Sequence, residues 1–497
     1  MNDHAPAWRT APFARRLGVA ASAALLAVSS TACTSENDGR QLRVLMADPP
    51  EAALSPHSND AYLLSRWSVS ETLVTLDEDG ELSASLATGW SMVDDNRWEI
   101  ELREGVRFHD GTTMDAAAVE NALNAAAESA TKPRVLEGIE LTAEATGDHT
   151  LLVSTASPDA TLLQRLASPQ LAILATSAYR SGDVDPVGAA TGPFRISEST
   201  NGGAQMKRFD DYWGAAPALT RFRAEYVADP HKRAMALRGN SADIAENIPA
   251  SELVHLHAGQ VQDSPTSRSV LMYLNTDTGP FADEGLRAAA REAIEPESLI
   301  DGLYAGHADE PIGLFGPSVP WRSDVAAEFG EAGPVDSDRI DLVTYSNTPQ
   351  LAEVMALVSS QLEDAGFEVT TTVREYSQVE GDVLGGHFDA FILSRSTVLD
   401  SGDPYSFLES DFSCNGVFNI SQWCTRGVDT QIATMAAATP GDERISQIAQ
   451  VEAEILGSVA AIVLLHERLI TGVGPGVENV AQDPREFTLI TPETTKR

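Results

Sequence analysis

An apolar run from Leu17 to Val28 constrains the rest of the chain more than any other feature. It stands behind the basic residues Arg9, Arg15 and Arg16. The small residues Ser29, Ser30, Thr31 and Ala32 close it, and Cys33 comes next. The run falls short of the roughly 18 apolar residues that a membrane-spanning helix needs. Basic front, apolar middle and small-residue close form the three-part pattern of a secretory signal, with cleavage expected at Cys33. The chain beyond Cys33 is therefore expected to fold outside the cytoplasm, where thiols oxidise. No later segment reaches about 18 uninterrupted apolar residues, so the body is expected to fold in water.

Ser30-Thr31-Ala32-Cys33 resembles a bacterial lipobox, whose cysteine receives a diacylglyceryl group and becomes the new N-terminus. Ser30 stands where leucine is commonest. The alternative is an ordinary signal peptide that ends near a cysteine. Arg15-Arg16 hints at twin-arginine export, but Ala14 and Leu17-Gly18 fit that signal poorly. Residues 1–33 thus read as a lipoprotein signal and 34–40 as a polar tether. Of the 3 cysteines, Cys414 and Cys424 remain. In an oxidising compartment they read as one disulfide closing a turn-rich loop. The chain-entropy argument gives such a closure about 2–3 kcal/mol. A two-cysteine metal site is the rival, and it lacks nearby histidines.

A chain of 497 residues exceeds one ordinary core, so two or more lobes are expected. The 73 Asp and Glu against 34 Lys and Arg give a net charge of −39. Nucleic-acid phosphates would repel such a surface. The acidity suits a cationic ligand, or simply solubility.

Local patterns give a mixed α/β chain. Leu42 to Ala47 reads as a buried strand stopped by Pro49-Pro50. Trp67 to Leu76 reads as amphipathic. Trp90-Ser91-Met92 and Trp98 to Leu102 alternate across an Asp94-Asp95-Asn96 turn, which predicts a hairpin. Thr113 is the expected N-cap of a helix through Ala116–Ala127. Between Pro349 and Ala365, Leu351, Val354, Met355, Val358 and Leu362 share one helical face, with Gly366 as the stop. Phe367 to Val373 then reads as a strand, and Gln447 to Leu465 as a helix running into an apolar strand. Helix, short loop and strand imply an α/β layer.

Several motifs occur in order: Glu71-Thr72-Leu73-Val74-Thr75-Leu76 with Gly80; Leu86-Ala87-Thr88-Gly89-Trp90; and Leu102-Arg103-Glu104-Gly105-Val106-Arg107-Phe108-His109-Asp110-Gly111. Then come Ala190-Thr191-Gly192-Pro193-Phe194, Asp211-Tyr212-Trp213-Gly214, and Leu237-Arg238-Gly239 with Ala242-Asp243-Ile244. Last are Leu274-Asn275-Thr276, Pro280-Phe281-Ala282-Asp283 and Arg287. Together, over roughly residues 41 to 480, they resemble the family 5 extracellular solute-binding proteins of peptide and nickel ABC importers. Most of these residues also have a structural reading. Asp110 caps local backbone, Asn275 bonds neighbouring backbone, and Tyr212 and Trp213 anchor a core.

The resemblance implies a two-lobed α/β fold, periplasmic-binding-protein type II-like (cluster C), with an extra inserted domain and a hinge. Lobe I would comprise 41–65, 185–265 and 470–497, the insertion 66–184, and lobe II 266–469. It implies a lipid-anchored, monomeric binding component on the extracellular face of the cell membrane. That component would pass short peptides or peptide-like solutes to ABC permease and ATPase subunits, with no cofactor and no nucleic acid. The alternatives are a nickel or metallophore carrier and a peptide-sensing receptor without transport.

For the site, the resemblance points to the loop Asp400-Ser401-Gly402-Asp403-Pro404-Tyr405. Asp400 would pair with a peptide α-amino group, because a buried ammonium needs a carboxylate. Asp403-Pro404 is the matching acidic-Pro pair. A turn-capping aspartate is the alternative for Asp400. Dipeptide-binding members carry Trp where Thr397 stands, which weakens a dipeptide assignment; the Cys414/Cys424 pair, in contrast, resembles theirs. Arg395, or Arg374, would clamp a ligand carboxylate. Tyr405 and Trp423 would wall the pocket. Enzyme signatures find no support. His466-Glu467 has no second histidine at metalloprotease spacing, no Gly-x-Ser-x-Gly elbow occurs, and Gly472-Val473-Gly474-Pro475-Gly476 matches no phosphate loop. His255 and His257, a close pair, read as solvated rather than metal-binding.

Overall fold

The computed structural model describes residues 41–77, 80–180, 183–320, 322, 327–398, 401–436, 438 and 441–497. Cys33, the signal, the tether through residue 40 and Asp400 lie outside the described residues. Among those described, no helix is long and apolar enough to cross a membrane.

An 11-stranded mixed sheet forms the frame. Its order is Phe194–Thr200, Gly203–Arg208, Arg221–Tyr226, Leu42–Met46, Ile244–Ala245, Ala461–Val473, Val261–Leu274, Ala390–Ser396, Arg339–Tyr345 and Glu368–Arg374, with Ala308–Asp309 on the flank of Ala461–Val473. Two long antiparallel strands, Val261–Leu274 and Ala461–Val473, run through the middle and join both halves. Their register breaks between Pro265 and Ser269. Proline has no N–H to donate, so the ladder must loosen there. At that break Ser267 donates its N–H to the Pro484 carbonyl (3.0 Å) and accepts from the Thr397 N–H (2.8 Å).

The apolar cores divide along the same line. One gathers Leu42, Val44, Phe194 and Phe222 with Trp67, Ile100, Val119 and Leu151. Two others, entirely between Val270 and Leu465, cover the faces of the second half. Each half of the sheet thus has its own buried apolar surface. The chain is a mixed α/β protein of two lobes bridged by the crossing strands.

The expected hairpin forms as Ala87–Asp94 and Arg97–Leu102. It extends into a four-stranded antiparallel sheet with Thr150–Thr155 and Leu141–Ala145. The helix Ala116–Ala127 packs there, and Asn124 brackets Ala143 through both its N–H and its carbonyl (2.9 Å each). Its N-cap is Asp115, whose carboxylate accepts from the Ala118 N–H, rather than Thr113. Aspartate two positions later offers the better placed acceptor. The helix Pro349–Asp364 and the strand Glu368–Arg374 follow their apolar pattern, and Gly366 takes φ +105°. Trp67–Leu76 is not one element. A short helix ends at Arg66, and only Val74–Leu76 is a strand. The last helix begins earlier than its pattern suggests, at Asp442, and the strand after it starts at Ala461. Asn275 bonds backbone as expected, donating to the Gly386 carbonyl (3.0 Å) and the Phe388 carbonyl (3.2 Å).

Candidate functional site

A charged and aromatic cluster gathers where the crossing strands leave their register. Arg268 and Glu467, on the two strands, stand at its base. Arg268 bonds the Glu486 carboxylate at 3.2 Å, yet 40% of its side chain remains accessible. Arg66 links Glu486 (3.7 Å) to the buried Glu246 (3.0 Å). Burial pushes the Glu486 carboxyl up, but Arg268 and Arg66 outweigh this and hold it below its usual range. Glu467 has the opposite balance. Burial raises its pKa against the opposing pull of Ser394 and Arg268.

A second part of the cluster comes from near the sheet edge. Tyr345 and Tyr376 meet edge to face with ring centres 5.5 Å apart. Arg395 stands beside them, stacked on Phe418 at 3.9 Å. Arg395 makes a forked pair with Asp411, at 2.9 and 2.6 Å, and the Tyr273 hydroxyl donates to the same carboxylate (2.7 Å). Asp411 is fully buried, so this arrangement satisfies a carboxylate that would otherwise be very costly.

A third part of the cluster is Arg134, at the start of a single 3₁₀ turn, Arg134–Leu136. Buried polar groups hold that turn. The Val135 N–H donates to Gln170 (3.1 Å), and Arg165 donates to the Val135 carbonyl (2.9 Å) while Asp159 fixes Arg165 at 2.8 Å. Arg134 is solvent-accessible. Its guanidinium is nonetheless surrounded: burial, then the like charges of Arg395 and Arg268, push its pKa down to about 10. The guanidinium thus stands in the field of two others. Nothing local in the sequence marks Arg134. It follows a proline in a loop, and its neighbours are distant in sequence.

The residues expected from the sequence fall in different places. Arg395 stands in the cluster with its charge already matched by Asp411. Arg374 lies on the outer strand, exposed, 3.5 Å from Asp382. Asp403 is buried and caps the helix Pro404–Phe412 through the Tyr405 N–H (2.7 Å). It also pairs with the buried Arg444 at 2.9 Å. This geometry makes Asp403 a support for the loop that carries Asp400. Thr397 is wholly buried, and its hydroxyl donates to the Ser267 carbonyl (2.9 Å), so it pins the loop to the break between the crossing strands. Gly402 takes φ +68°, and a Cβ there would meet Leu76 Cδ1 at 2.3 Å. Gly402 therefore seats against the other half of the molecule. Tyr405 lines a cavity of about 240 Å³ with Asp159, Arg165, Pro158 and Ala436. Across it the Ala160 N–H bonds the Ala436 carbonyl (3.0 Å). Trp423 packs in the second lobe's core beside the Cys414–Cys424 disulfide, whose Cα atoms are 4.6 Å apart.

Two lobes joined by paired crossing strands, with charged and aromatic groups from both lobes meeting at the break, define a solute-binding protein. Residues 81–419 match the bacterial extracellular solute-binding proteins, family 5 Middle. The chain belongs to this family, whose members serve ABC importers. It is 22% identical over 439 residues to the nickel-binding protein NikA of Staphylococcus aureus, covering 84% of this chain and 86% of that one. It is 27% identical over 375 residues to the glutathione-binding protein GsiB of Escherichia coli K12, covering 71% and 72%. The fold is also that of NikA from Brucella suis, with a TM-score of 0.82 at 20% identity over 92% of this chain and 100% of that one.

Proposed function

We propose that this protein captures a small carboxylate-bearing solute, most simply a short peptide, and presents it to an ABC permease. The meeting of Arg134, Arg268 and Arg395 beside Tyr345 and Tyr376 carries this reading. In it, Arg134 and Arg268 engage the ligand carboxylate, and the tyrosines wall the ligand's apolar part. Asp400, on the loop braced by Asp403, Thr397 and Gly402, pairs with an α-ammonium. Tyr405 and Trp423 support the walls from behind. Lobe I as 41–65, 185–265 and 470–497, the insertion as 66–184 and lobe II as 266–469 would close about the crossing strands. Cys33 would tether the protein to the outer face of the membrane, which keeps it near its permease.

A second reading is favoured by the NikA relatives, whose name speaks for nickel; glutathione, in the name of GsiB, is itself a peptide and fits the first. A nickel chelate with amino-acid carboxylates offers the same anionic handle to Arg134. Calorimetry with a free tripeptide, its N-acetylated form, glutathione and nickel–histidine separates the two. The peptide reading expects free tripeptide to bind, acetylation to abolish binding, and Arg134→Ala to weaken it about 10–100-fold, the worth of one charged hydrogen bond. Tight binding of nickel–histidine with no heat from peptides selects the chelate. Equal binding of free and acetylated peptide removes the Asp400 role. Release of a Cys33→Ser variant into the medium, with the wild type retained on cells, tests the tether.

A further inference from the structure

A second cluster shares no residue with the first. His231 lies in the first turn of the helix Pro230–Arg238, whose N-cap Asp229 accepts from the Lys232 N–H at 3.1 Å. Glu252 and His255 lie on the 3₁₀ segment Ala250–His255. Three residues make one 3₁₀ turn, so positions 252 and 255 stand one above the other. His231 Nδ1 is 3.0 Å from Glu252 Oε2, and His255 Nε2 is 3.7 Å from the same oxygen. The three ligand atoms lie within 4.8 Å of one another. The two imidazoles meet edge to face at 5.1 Å.

We propose that His231, Glu252 and His255 bind a divalent transition ion of the zinc type. Two imidazoles and one carboxylate are a zinc ligand set, and ligand bonds of about 2.0–2.1 Å put tetrahedral donors about 3.3 Å apart. The distances of 3.0 and 3.7 Å bracket that edge. Small rotations of exposed side chains complete it, since His231 is 55% and His255 35% accessible. Glu252 is 17% accessible and acts as the fixed member. The fourth position faces solvent and takes water. Nitrogen donors select against calcium and magnesium, which take oxygen. The bound ion ties the helix Pro230–Arg238 to the segment that leads into the crossing strand at Val261. His257, the nearest histidine to His255 in sequence, is not part of the cluster. Its backbone N–H bonds Gln260 at 3.2 Å instead. The site also bears on cargo assignment. Nickel binds such a set too, so nickel carried by the purified protein need not be cargo.

The test is calorimetric titration of the metal-free full chain with zinc chloride alone, paired with visible absorption after cobalt(II) addition. The wild type is expected to take one equivalent of zinc and to show the intense d–d bands of four-coordinate cobalt. His231→Asn/His255→Asn loses both signals while keeping the wild-type melting temperature. Arg134→Ala keeps both, which separates this site from the Arg134 cluster. A wild type with no saturable zinc heat overturns the proposal, as does a double variant that binds zinc like the wild type.

Discussion

Asp403 and Arg444 form an ion pair in which both side chains are almost wholly buried, with Nη2 2.9 Å from Oδ1. Arg444 also donates to the Met435 and Ala438 carbonyls. One carboxylate thereby joins a helix cap to the segment behind it. Removing one partner of a buried pair leaves the other charge uncompensated. Arg444→Met should therefore lower stability by about 3–5 kcal/mol in urea denaturation. Adding Asp403→Asn removes the stranded charge and keeps a capping oxygen, so the double variant should regain part of the loss. A double variant less stable than Arg444→Met would show that the pair does not act as a unit.

Glu71 accepts hydrogen bonds from the Tyr212 hydroxyl (2.9 Å) and the Trp213 indole (3.1 Å). Burial, opposed by these bonds and by Arg103, raises its pKa from 4.5 to about 7. Below pH 4.5 the carboxyl is protonated in both folded and unfolded chains. As pH rises toward 7 the unfolded chain releases the proton first, so the native state loses stability across that window. Glu71→Gln cannot titrate. Compared by denaturation at acid and neutral pH, the variant should gain on the wild type as pH rises; a constant difference would mean that folding does not shift the Glu71 pKa.

The disulfide closes a short loop between Cys414 and Cys424. Cys414→Ala/Cys424→Ala should cost about 2–3 kcal/mol in the same assay, from the freedom restored to the unfolded chain. Trp423 lies inside that loop and in the core, so its fluorescence should report the loosening. A double variant as stable as the wild type would place the loop's order in Asn419, which bonds the Ser413 and Trp423 carbonyls, instead of the disulfide.

Gly402 meets Leu76 with no room for a side chain. Gly402→Val should hold the two halves apart. The contraction in small-angle scattering radius expected when the wild type binds solute should shrink or vanish in the variant, with the secondary structure unchanged. Equal contraction in both would show that the Asp400 loop does not take part in closure.

Much of the fold could be read from local pattern. The helix Pro349–Asp364 repeats Leu351, Val354, Met355, Val358 and Leu362 on one face, and the Ala87–Leu102 hairpin alternates, because one apolar face per element is what a layered protein buries. Cys414 and Cys424 could be paired because only two thiols were left. The full length of the crossing strands could not be read. Ala461 to Leu465 shows as an apolar strand, but Thr266, Ser267 and Arg268 carry no strand pattern at the place where the two halves meet. The site was the least legible part. Arg395 was marked by its loop, but its partner Asp411 and the stacking on Phe418 arise only in three dimensions. Arg134 carries no local signal, because its meaning comes from Arg268, Arg395 and Tyr376, which other segments supply. Asp403 and Thr397 drew notice beside Asp400, and their burial shows a supporting role that sequence spacing does not encode.

Capture of a carboxylate through Arg134 is the feature on which the proposed function stands or falls. Native mass spectrometry of the protein purified without added ligand, beside Arg134→Ala, puts it to the test. One small carboxylate-bearing solute is expected on the wild type and a much smaller share of it on the variant. The same solute at equal occupancy on both proteins, or a cargo without a carboxylate, would contradict it.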